Sequence, residues 1–402
     1  MVKIRGIQAF RPKDPEEFSI PPYDVIDEKM EKELKTNPRS SIHVILPEGE
    51  GDEIYANAKK EMQKLIDNEI IIQENKRSIY VYRQEALDGS FSQEGLIMGV
   101  SIADYKEGHI KKHEHTREKP LKDRTAHIQA TKMNTGLVWT TYKANKSIRE
   151  LIEEIKRQSP DTEFIKFGYK QIIWKTDAED IISRLKEAFK SKELYIADGH
   201  HRAASAAEFQ KYMLKNSSES DKANNDANWN YFMIYAASDE QVRILPYNRV
   251  VKQLSMPKNK FLGQIMENFN IEILAGKFIP EEKGNIGMFF DGKWYKLAPK
   301  KISETKREKR LDVSVLQDQL ITPILGIEHI RKNDNIFFIG GISDPSDMES
   351  YVTDKGNTLF FSLYPVKMRE IEEIADEGKF MPPKSTWFDP KLLSGLLFNP
   401  LF

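Results

Sequence analysis

The chain has 402 residues, more than one hydrophobic core usually organises, so we expect two or three substructures. Lys and Arg number 61 against 62 Asp and Glu, and this balance argues against a protein that coats nucleic acid or an anionic membrane. The absence of cysteine excludes disulfides, thiolate metal sites and Cys nucleophiles. The N-terminus lacks the apolar core of a secretory signal and no apolar run is long enough to span a membrane, so we expect a cytoplasmic protein.

The first third of the chain alternates helical and strand patterns. Apolar residues at helical spacing over 54–66 predict an amphipathic helix with one stripe facing a core. Two strand-like runs, 78–84 and 95–103, flank Asp88-Gly89, a dipeptide that favours a hairpin turn. After a His-rich stretch, the pattern predicts a helix over 120–134, with proline in its first turn.

The middle third continues this alternation. Thr176 and Glu179 have the spacing of a capping box, which predicts a helix start. The polar stretch 216–228 is the strongest candidate for disorder, because its composition cannot build a core. The predicted elements are strand 137–142, helix 148–155, hairpin 164–174, helix 181–189, strand 194–197, helix 203–213 and the continuously apolar strand 230–237.

The last third is less regular. We predict a helix that begins at 311 and stops near Pro323, and a strand over 336–341. The whole pattern indicates a mixed α/β (α+β) fold in which helices pack on mixed sheets. We divide the chain into an N-terminal region 1–145, a core 146–298 and a C-terminal region 299–402, the tail of which packs on the core.

The segment ADGHHR is the strongest chemical signal, in a sequence without P-loop, GxGxxG, GxSxG or HExxH motifs. A strand delivers Asp198, Gly199 turns the chain, and a helix begins with His200, His201 and Arg202. The start of a helix attracts anions, glycine lets a phosphate approach the backbone, and arginine can bind phosphate through two hydrogen bonds. Asp198 would accept a hydroxyl proton or bind a divalent metal. We predict a phosphate or nucleotide site; the alternative is that Asp198 only caps the helix.

A second group of candidate side chains follows the first predicted hairpin. Asp123 and His127 are spaced i, i+4, so they share a helix face and Asp123 could orient His127. A His-x-His pair with a carboxylate resembles a zinc or iron ligand set, but no third ligand has convincing spacing. The alternative is a hydrated basic loop. The group comprises His109, His113, Glu114, His115, Asp123, Arg124 and His127.

Three further charged residues are isolated in the sequence. Asp24 follows two prolines, which would hold it in a rigid loop, although spacing alone favours a structural role. Glu48 follows an apolar run and is a similar case. Lys384, in the segment MPPKST, would either touch a phosphate or pin the tail.

The segments PPYDVI, HEHT followed by DR, ADGHHR and MPPKSTWFDPKLLSGL occur in this order over essentially the whole chain. Together they make the sequence resemble the domain-of-unknown-function family 1015. That family is similar to the ParB/sulfiredoxin-like superfamily, in which a Gly-plus-basic turn at a helix N-terminus binds nucleotide phosphates. Within that superfamily, free L-serine kinases carry a related Asp-Gly-His motif and transfer a phosphoryl group from ADP or ATP to the serine hydroxyl.

The resemblance implies a ParB/sulfiredoxin-like nucleotide-binding core with large additions. In such a core Asp198 would contact Mg²⁺ or the acceptor hydroxyl, while Asp24 would help to hold the acceptor ammonium. The base of the serine kinases is a glutamate outside the Asp-Gly-His motif, and Glu114 and Glu48 are the candidates for it here. The residues that would cradle the phosphates are Gly199, His200, His201 and Arg202.

Our hypothesis from the sequence is a small-molecule kinase that uses ATP or ADP with Mg²⁺ and acts on a hydroxyl acceptor, with free L-serine as the leading candidate. The alternatives are a ParB-type nucleic-acid-associated protein or nuclease, which the charge balance disfavours, and a nucleotide sensor without catalysis. We expect no nucleic acid and no membrane as partner, and a homodimer remains open. The predicted roles are catalysis for Asp198, Glu114, His113 and His200, phosphate binding also for Arg124 and Lys384, and substrate binding for Asp24, Asp123 and His127.

Overall fold

The computed structural model describes residues 1–302, 306–341 and 344–402. The chain forms two compact units: the first comprises 1–242 and 390–402, and the second comprises 243–389. Both units combine helices with sheets, so the predicted mixed α/β fold is confirmed. Among the described residues, no helix has both the length and the apolar character needed to cross a bilayer.

A large mixed sheet is the centre of the first unit. Its strands lie in the order β6-β11-β8-β12-β5-β4-β10-β9, and β1 adds to β5. The pairs β11–β6 and β12–β8 are parallel and the other pairs are antiparallel. The bounds are β1 Ile4–Arg5, β4 Ile79–Ala86, β5 Ser92–Ser101, β6 Ile110–Lys111, β8 Val138–Tyr142, β9 Thr162–Lys166, β10 Tyr169–Thr176, β11 Leu194–Asp198 and β12 Tyr231–Ser238; the short pairs are β2 Phe10–Pro12 with β3 Ile71–Gln73, and β7 Met133–Asn134 with β21 Asn399–Pro400.

Helices surround this sheet. Strand β12 is buried along most of its length because it lies between β8 and β5, as its continuously apolar sequence predicted. Helices α7 (Lys146–Ile155) and α8 (Glu179–Lys190) each pack an apolar stripe into the core beside the sheet. The small residues of α9 (His200–Asn216) pack into the same core. The bounds are α1 Pro15–Phe18, α2 Glu28–Leu34, α3 Ile42–Ile45, α4 Glu53–Asp67, α5 Ile102–Lys106, α6 Glu118–Thr131, α7 Lys146–Ile155, α8 Glu179–Lys190, α9 His200–Asn216 and α10 Glu219–Ala223.

The second unit has its own sheet, with strand order β15-β17-β16-β19-β14-β18, and a separate pair of β13 with β20. The helix predicted to begin at 311 and to stop near Pro323 is present. It begins at Asp312, passes through a π-helical turn, Gln317–Ile321, and ends at Leu325, where Gly326 adopts a left-handed conformation. The bounds are β13 Arg243–Leu245, β14 Tyr247–Val251, β15 Phe269–Leu274, β16 Ile286–Phe290, β17 Lys293–Pro299, β18 Ile336–Gly340, β19 Leu359–Leu363 and β20 Trp387–Asp389, with α11 Lys258–Asn268, α12 Asp312–Leu316, α13 Thr322–Leu325, α14 Pro345–Thr353 and α15 Met368–Asp376.

The unit boundaries differ from the three regions that we predicted. The predicted break at 145/146 falls inside the first unit, because α7 buries its apolar stripe in the same core as β8. The predicted break at 298/299 falls inside β17, which pairs with β15 and β16. Residues 390–402 return to the first unit after the whole second unit has been completed. Contacts between segments distant in sequence decide where the units begin and end. The periodicity of apolar residues in the sequence does not predict such contacts.

Three local predictions are wrong for physical reasons. Helix α6 ends at Thr131 rather than at 134, because Lys132 adopts a left-handed conformation and the next two residues pair with β21. The capping box does not form, because Thr176 belongs to β10 and Ala178 is the N-cap of α8. The stretch 216–228 contains α10, and its Asp226 forms ion pairs with two arginines.

Gly95→Ala is expected to destabilise the first unit. A Cβ at Gly95 would lie 2.5 Å from the carbonyl oxygen of Ala236 and 2.7 Å from Cζ of Tyr235, so the β5–β12 pair would have to move. Overpacking of this kind costs about 2 kcal/mol in the free energy of unfolding, measured by urea titration. The control is Gly263→Ala in α11, where a Cβ meets no atom within 4 Å. Equal effects of the two variants would contradict the close packing at Gly95.

Candidate active site

A sharp turn joins the end of β11 to the start of α9. Strand β11 shifts register against β8 between Ile196 and Asp198, a bulge that re-aims the end of the strand. Gly199 has a φ of 93°, in the left-handed region that favours glycine. A Cβ at Gly199 would lie 3.0 Å from Nε of Arg202, so the guanidinium packs closely against the glycine. The predicted strand–Gly–helix arrangement is therefore present.

Asp198 is a partly buried carboxylate with three nitrogen neighbours. Its Oδ1 accepts a 2.7 Å hydrogen bond from the backbone N–H of Gly199, and its Oδ2 accepts a 2.9 Å hydrogen bond from Nζ of Lys391. The guanidinium of Arg202 lies 3.7 Å from Oδ1. Burial by itself would raise the pKa of Asp198, but Lys391 and Arg202 together outweigh it and hold the pKa well below its ordinary value. Asp198 is therefore a fixed negative charge and a weak proton acceptor at neutral pH.

Two buried histidines pack behind this turn. The rings of His113 and His200 meet edge to face with centroids 4.5 Å apart, and the residues are 3% and 4% exposed. Burial lowers the pKa of His113 to about 4 and lowers that of His200 as well, so both rings are neutral. Nδ1 of His113 and Nε2 of His200 have no hydrogen-bond partner among the described residues. The pair is placed to fill the space under the turn and does not line the adjoining cavity.

The next two residues of α9 connect the turn to other segments. Nε2 of His201 accepts a 2.9 Å hydrogen bond from the backbone N–H of Arg117. The guanidinium of Arg202 donates to the carbonyl oxygen of Leu137, at the start of β8. These contacts tie the start of α9 to the residue before α6 and to the neighbouring strand.

A cavity opens beside the turn. Each of the four segments that carry the family resemblance supplies a residue at this place. Tyr23 comes from PPYDVI, Arg124 from the DR pair, Arg202 from ADGHHR and Ser394 from the C-terminal segment. The Arg124 guanidinium lies 4.7 Å above the ring of Tyr23, and the electrostatic neighbours of the Tyr23 hydroxyl include Arg202, Asp24 and Asp198. Segments more than 350 residues apart in sequence therefore meet at one site.

Helix α6 contributes the remaining predicted residues, but not as the predicted pair. Asp123 accepts hydrogen bonds from the hydroxyl of Tyr55 and from Nε of Arg124. Nε2 of His127 lies 2.7 Å from the carbonyl oxygen of Val44, so this nitrogen carries the proton. Asp123 thus orients the adjacent Arg124 and is itself bound by Tyr55 of α4, whereas the backbone carbonyl of Val44 in α3 orients His127.

The other predicted residues lie in different environments. Asp24 is exposed, and its charge acts on the adjacent Tyr23. Glu48 is exposed and does not line the cavity, and Glu114 is half-buried beside His113 in sequence. Lys384 belongs to the second unit, where its Nζ donates to the hydroxyl of Tyr247 at 3.1 Å.

Sequence reasoning missed two important residues, Lys391 and Tyr23. Lys391 lies within the quoted segment MPPKSTWFDPKLLSGL, and Tyr23 lies within PPYDVI, so both were marked by the resemblance but not by any spacing rule. Lys391 pairs with Asp198 across 193 residues of sequence. Only the fold can bring such a pair together.

The residues around Asp198 do not fit a metal held by the protein. One carboxylate is present, and its two oxygens are bound by the Gly199 N–H and by Lys391. Within the described parts of the chain, no three His, Asp or Glu side chains cluster closely enough to hold a metal ion. A Mg²⁺ ion normally needs several oxygen ligands, so any Mg²⁺ here would be held mainly by a ligand's own phosphates and water.

The stability of the protein should fall as the pH drops from about 6.5 to about 4. Burial lowers the pKa of His113 and of His127 to about 4, whereas an unfolded histidine titrates near 6.5. The unfolded state therefore binds more protons in this window, and each histidine removes up to about 3 kcal/mol of stability on acidification. His127→Gln, which keeps a donor toward Val44, should flatten the slope of unfolding free energy against pH. The exposed His115→Gln is the control, and identical slopes for wild type and His127→Gln would contradict the assignment.

Comparison with known proteins gives family membership but only distant structural matches. A mutant free serine kinase in complex with AMP is 13% identical, with a TM-score of 0.36 over 73% of this chain and 87% of that one. A conserved hypothetical protein from Pyrococcus furiosus is 12% identical (TM-score 0.34, 73% and 90% covered), and SbnI with a C-terminal truncation from Staphylococcus aureus is 12% identical (TM-score 0.35, 76% and 87% covered). No curated protein matches the sequence significantly. Residues 4–314 match the family described as Protein of unknown function (DUF1015), and the chain belongs to this family.

Proposed function

We propose that this protein is a small-molecule phosphotransferase. In this proposal the phosphates of ATP or ADP bind at the Gly199 turn, and the phosphoryl group passes to a hydroxyl acceptor, of which free L-serine is the first to test. The observation that carries the proposal is the meeting of two guanidinium groups, Arg124 and Arg202, at one cavity beside the start of a 17-residue helix. Phosphoryl transfer needs mainly positioning and positive charge, and both are provided here.

The phosphate end of the site follows from charge and backbone geometry. The first N–H groups of α9 have no partner within the helix and carry partial positive charge. Arg202 lies against Gly199, so a guanidinium and the helix start face the same small volume. Arg124 is held in place by Asp123 and is only 11% exposed, so its planar donor group is preorganised.

The lining of the cavity, which combines apolar and polar side chains, suits a small molecule. Apolar side chains of Ile45, Ile128 and Val138 line it together with the polar groups of His127 and Ser394. We assign the apolar part to the flat base of a nucleotide, and the polar part to the acceptor.

The acceptor side is assigned by charge. Asp24 is the exposed carboxylate whose charge reaches the Tyr23 hydroxyl at the cavity, which suits it to bind an acceptor ammonium or to accept its hydroxyl proton. Asp198, with its lowered pKa, is better suited to orient groups than to take a proton. The similar solved structures name a free serine kinase in complex with AMP or ADP, and this name supplies the reaction to test first.

Incubation with ATP or ADP, MgCl₂ and a panel of amino acids and polyols should yield a phosphorylated hydroxyl compound, with O-phosphoserine as the first expected product. Arg202→Met should lower kcat/KM at least 100-fold, because it removes a cation at the phosphate turn. Asp198→Asn should also lower it at least 100-fold, because the carboxylate no longer holds Lys391 and Arg202 in position. The control is Lys211→Met, an exposed lysine on the same helix that pairs with Glu208. Mass spectrometry of the products is the measurement. Full turnover by Arg202→Met would overturn the placement of the chemistry.

Nucleotide binding can be tested apart from turnover. Arg124→Met should weaken ADP binding about 10- to 100-fold, because a charge-assisted hydrogen bond to phosphate is lost. Arg184→Met is the matched control, since Arg184 is an exposed arginine of α8 paired with Glu154. Isothermal titration calorimetry gives both values. Wild-type binding of ADP without any product from the panel would identify a nucleotide sensor and would reject the kinase proposal.

A further inference from the structure

The C-terminal segment, residues 390–398, is built into the first unit although the second unit separates it from the preceding part of the fold. Ile20 and Ser394 exchange two backbone hydrogen bonds of 3.0 and 2.8 Å, and Phe10 and Phe398 exchange two of 2.8 Å. These bridges fasten the segment beside the PPYDVI loop. The segment therefore forms one wall of the cavity and carries Ser394 into its lining.

Two buried glutamines hold the start of this segment. Gln84 on β4 and Gln93 on β5 are register partners, 1% and 0% exposed, and Nε2 of Gln93 lies 2.6 Å from Oε1 of Gln84. Gln93 donates to the carbonyl oxygen of Pro390 at 3.1 Å, and Gln84 donates to that of Lys391 at 3.2 Å. A buried amide without a hydrogen bond lowers the stability of the fold. These two hydrogen bonds therefore fix the position of the backbone at residue 391 relative to strands β4 and β5.

The side chain of Lys391 then reaches Asp198. Nζ lies 2.9 Å from Oδ2, and the two side chains are only 16% and 21% exposed. A phosphate near the start of α9 would otherwise meet the negative charge of Asp198 in a poorly hydrated place, where like charges repel strongly. Arg202 lies farther from the carboxylate than Lys391 does, at 3.7 Å. We therefore assign Arg202 to the phosphate and Lys391 to Asp198.

We propose that Lys391 is a positioning residue of the site: it neutralises and orients Asp198, so that an anionic ligand can approach the Gly199 turn. The ligand side of this inference rests on the proposed function, namely that nucleotide phosphates bind there. The inference assigns the C-terminal segment a role in the site, because Lys391, the cation that donates a hydrogen bond to the carboxylate, is held in place by residues 390–398.

A charge series of ligands tests this role. Lys391→Met keeps the length of the side chain and removes its charge. It should weaken ADP binding at least tenfold, AMP binding by a smaller factor, and adenosine binding less than twofold, measured by calorimetry. Lys391→Arg should restore most of the ADP affinity, and Lys211→Met should match the wild type. An equal loss for adenosine and ADP would show that Lys391 only supports the packing, and would overturn the proposal.

A double-mutant cycle tests the Asp198 contact without any ligand. Lys391→Met should lower the urea midpoint at pH 7.5, and this loss should shrink on acidification, because removal of the lysine raises the pKa of Asp198 from its wild-type value and a protonated carboxyl no longer needs the lysine. The variant Lys391→Met/Asp198→Asn should recover most of the midpoint lost in Lys391→Met. Additive effects of the two substitutions, or a loss independent of pH, would overturn the pairing. If wild type binds no nucleotide, the proposed function fails while this cycle still decides the role of Lys391 toward Asp198.

Discussion

A partly buried negative charge at the end of β11 is the constraint on which the site depends. Asp198 cannot remain ionised in a poorly hydrated place unless donors surround it, and the fold supplies the Gly199 N–H, Lys391 and Arg202. The Gly199 N–H requires a glycine in the left-handed conformation, and Lys391 requires the C-terminal segment to return to the first unit. Arg202 requires a helix that begins directly after the turn. The local geometry of the turn and the path of the whole polypeptide are therefore linked through one carboxylate.

The surroundings of this charge include two neutral histidines and two arginines. Behind the turn, His113 and His200 are packed edge to face, and burial keeps both rings uncharged. In front of it, Arg124 and Arg202 line the cavity. Cations that line a cavity attract an incoming anion, and this is the physical basis of the phosphate chemistry that we propose for the site.

Local sequence rules predicted the elements well where the pattern was periodic or where the chain turns tightly. The amphipathic spacing in α4 and α7, the Asp88-Gly89 hairpin and the strand–Gly–helix turn at Gly199 all follow from residues close together in sequence. The rules failed where a distant segment competed. Met133 and Asn134 look helical locally, yet they leave α6 to pair with residues near the C-terminus.

The amino-acid sequence by itself determined the mixed α/β class, the family resemblance and the place of the Asp198 turn, because each depends on short-range spacing or on motifs that can be read directly. Only the tertiary structure decided which charges surround that turn. In the fold, Asp123 accepts a hydrogen bond from Arg124 rather than from His127. Asp198 accepts one from Lys391, which is 193 residues away in sequence. Such partners are chosen by strand order and by the return of the chain after the second unit, and neither leaves a periodic trace in the sequence.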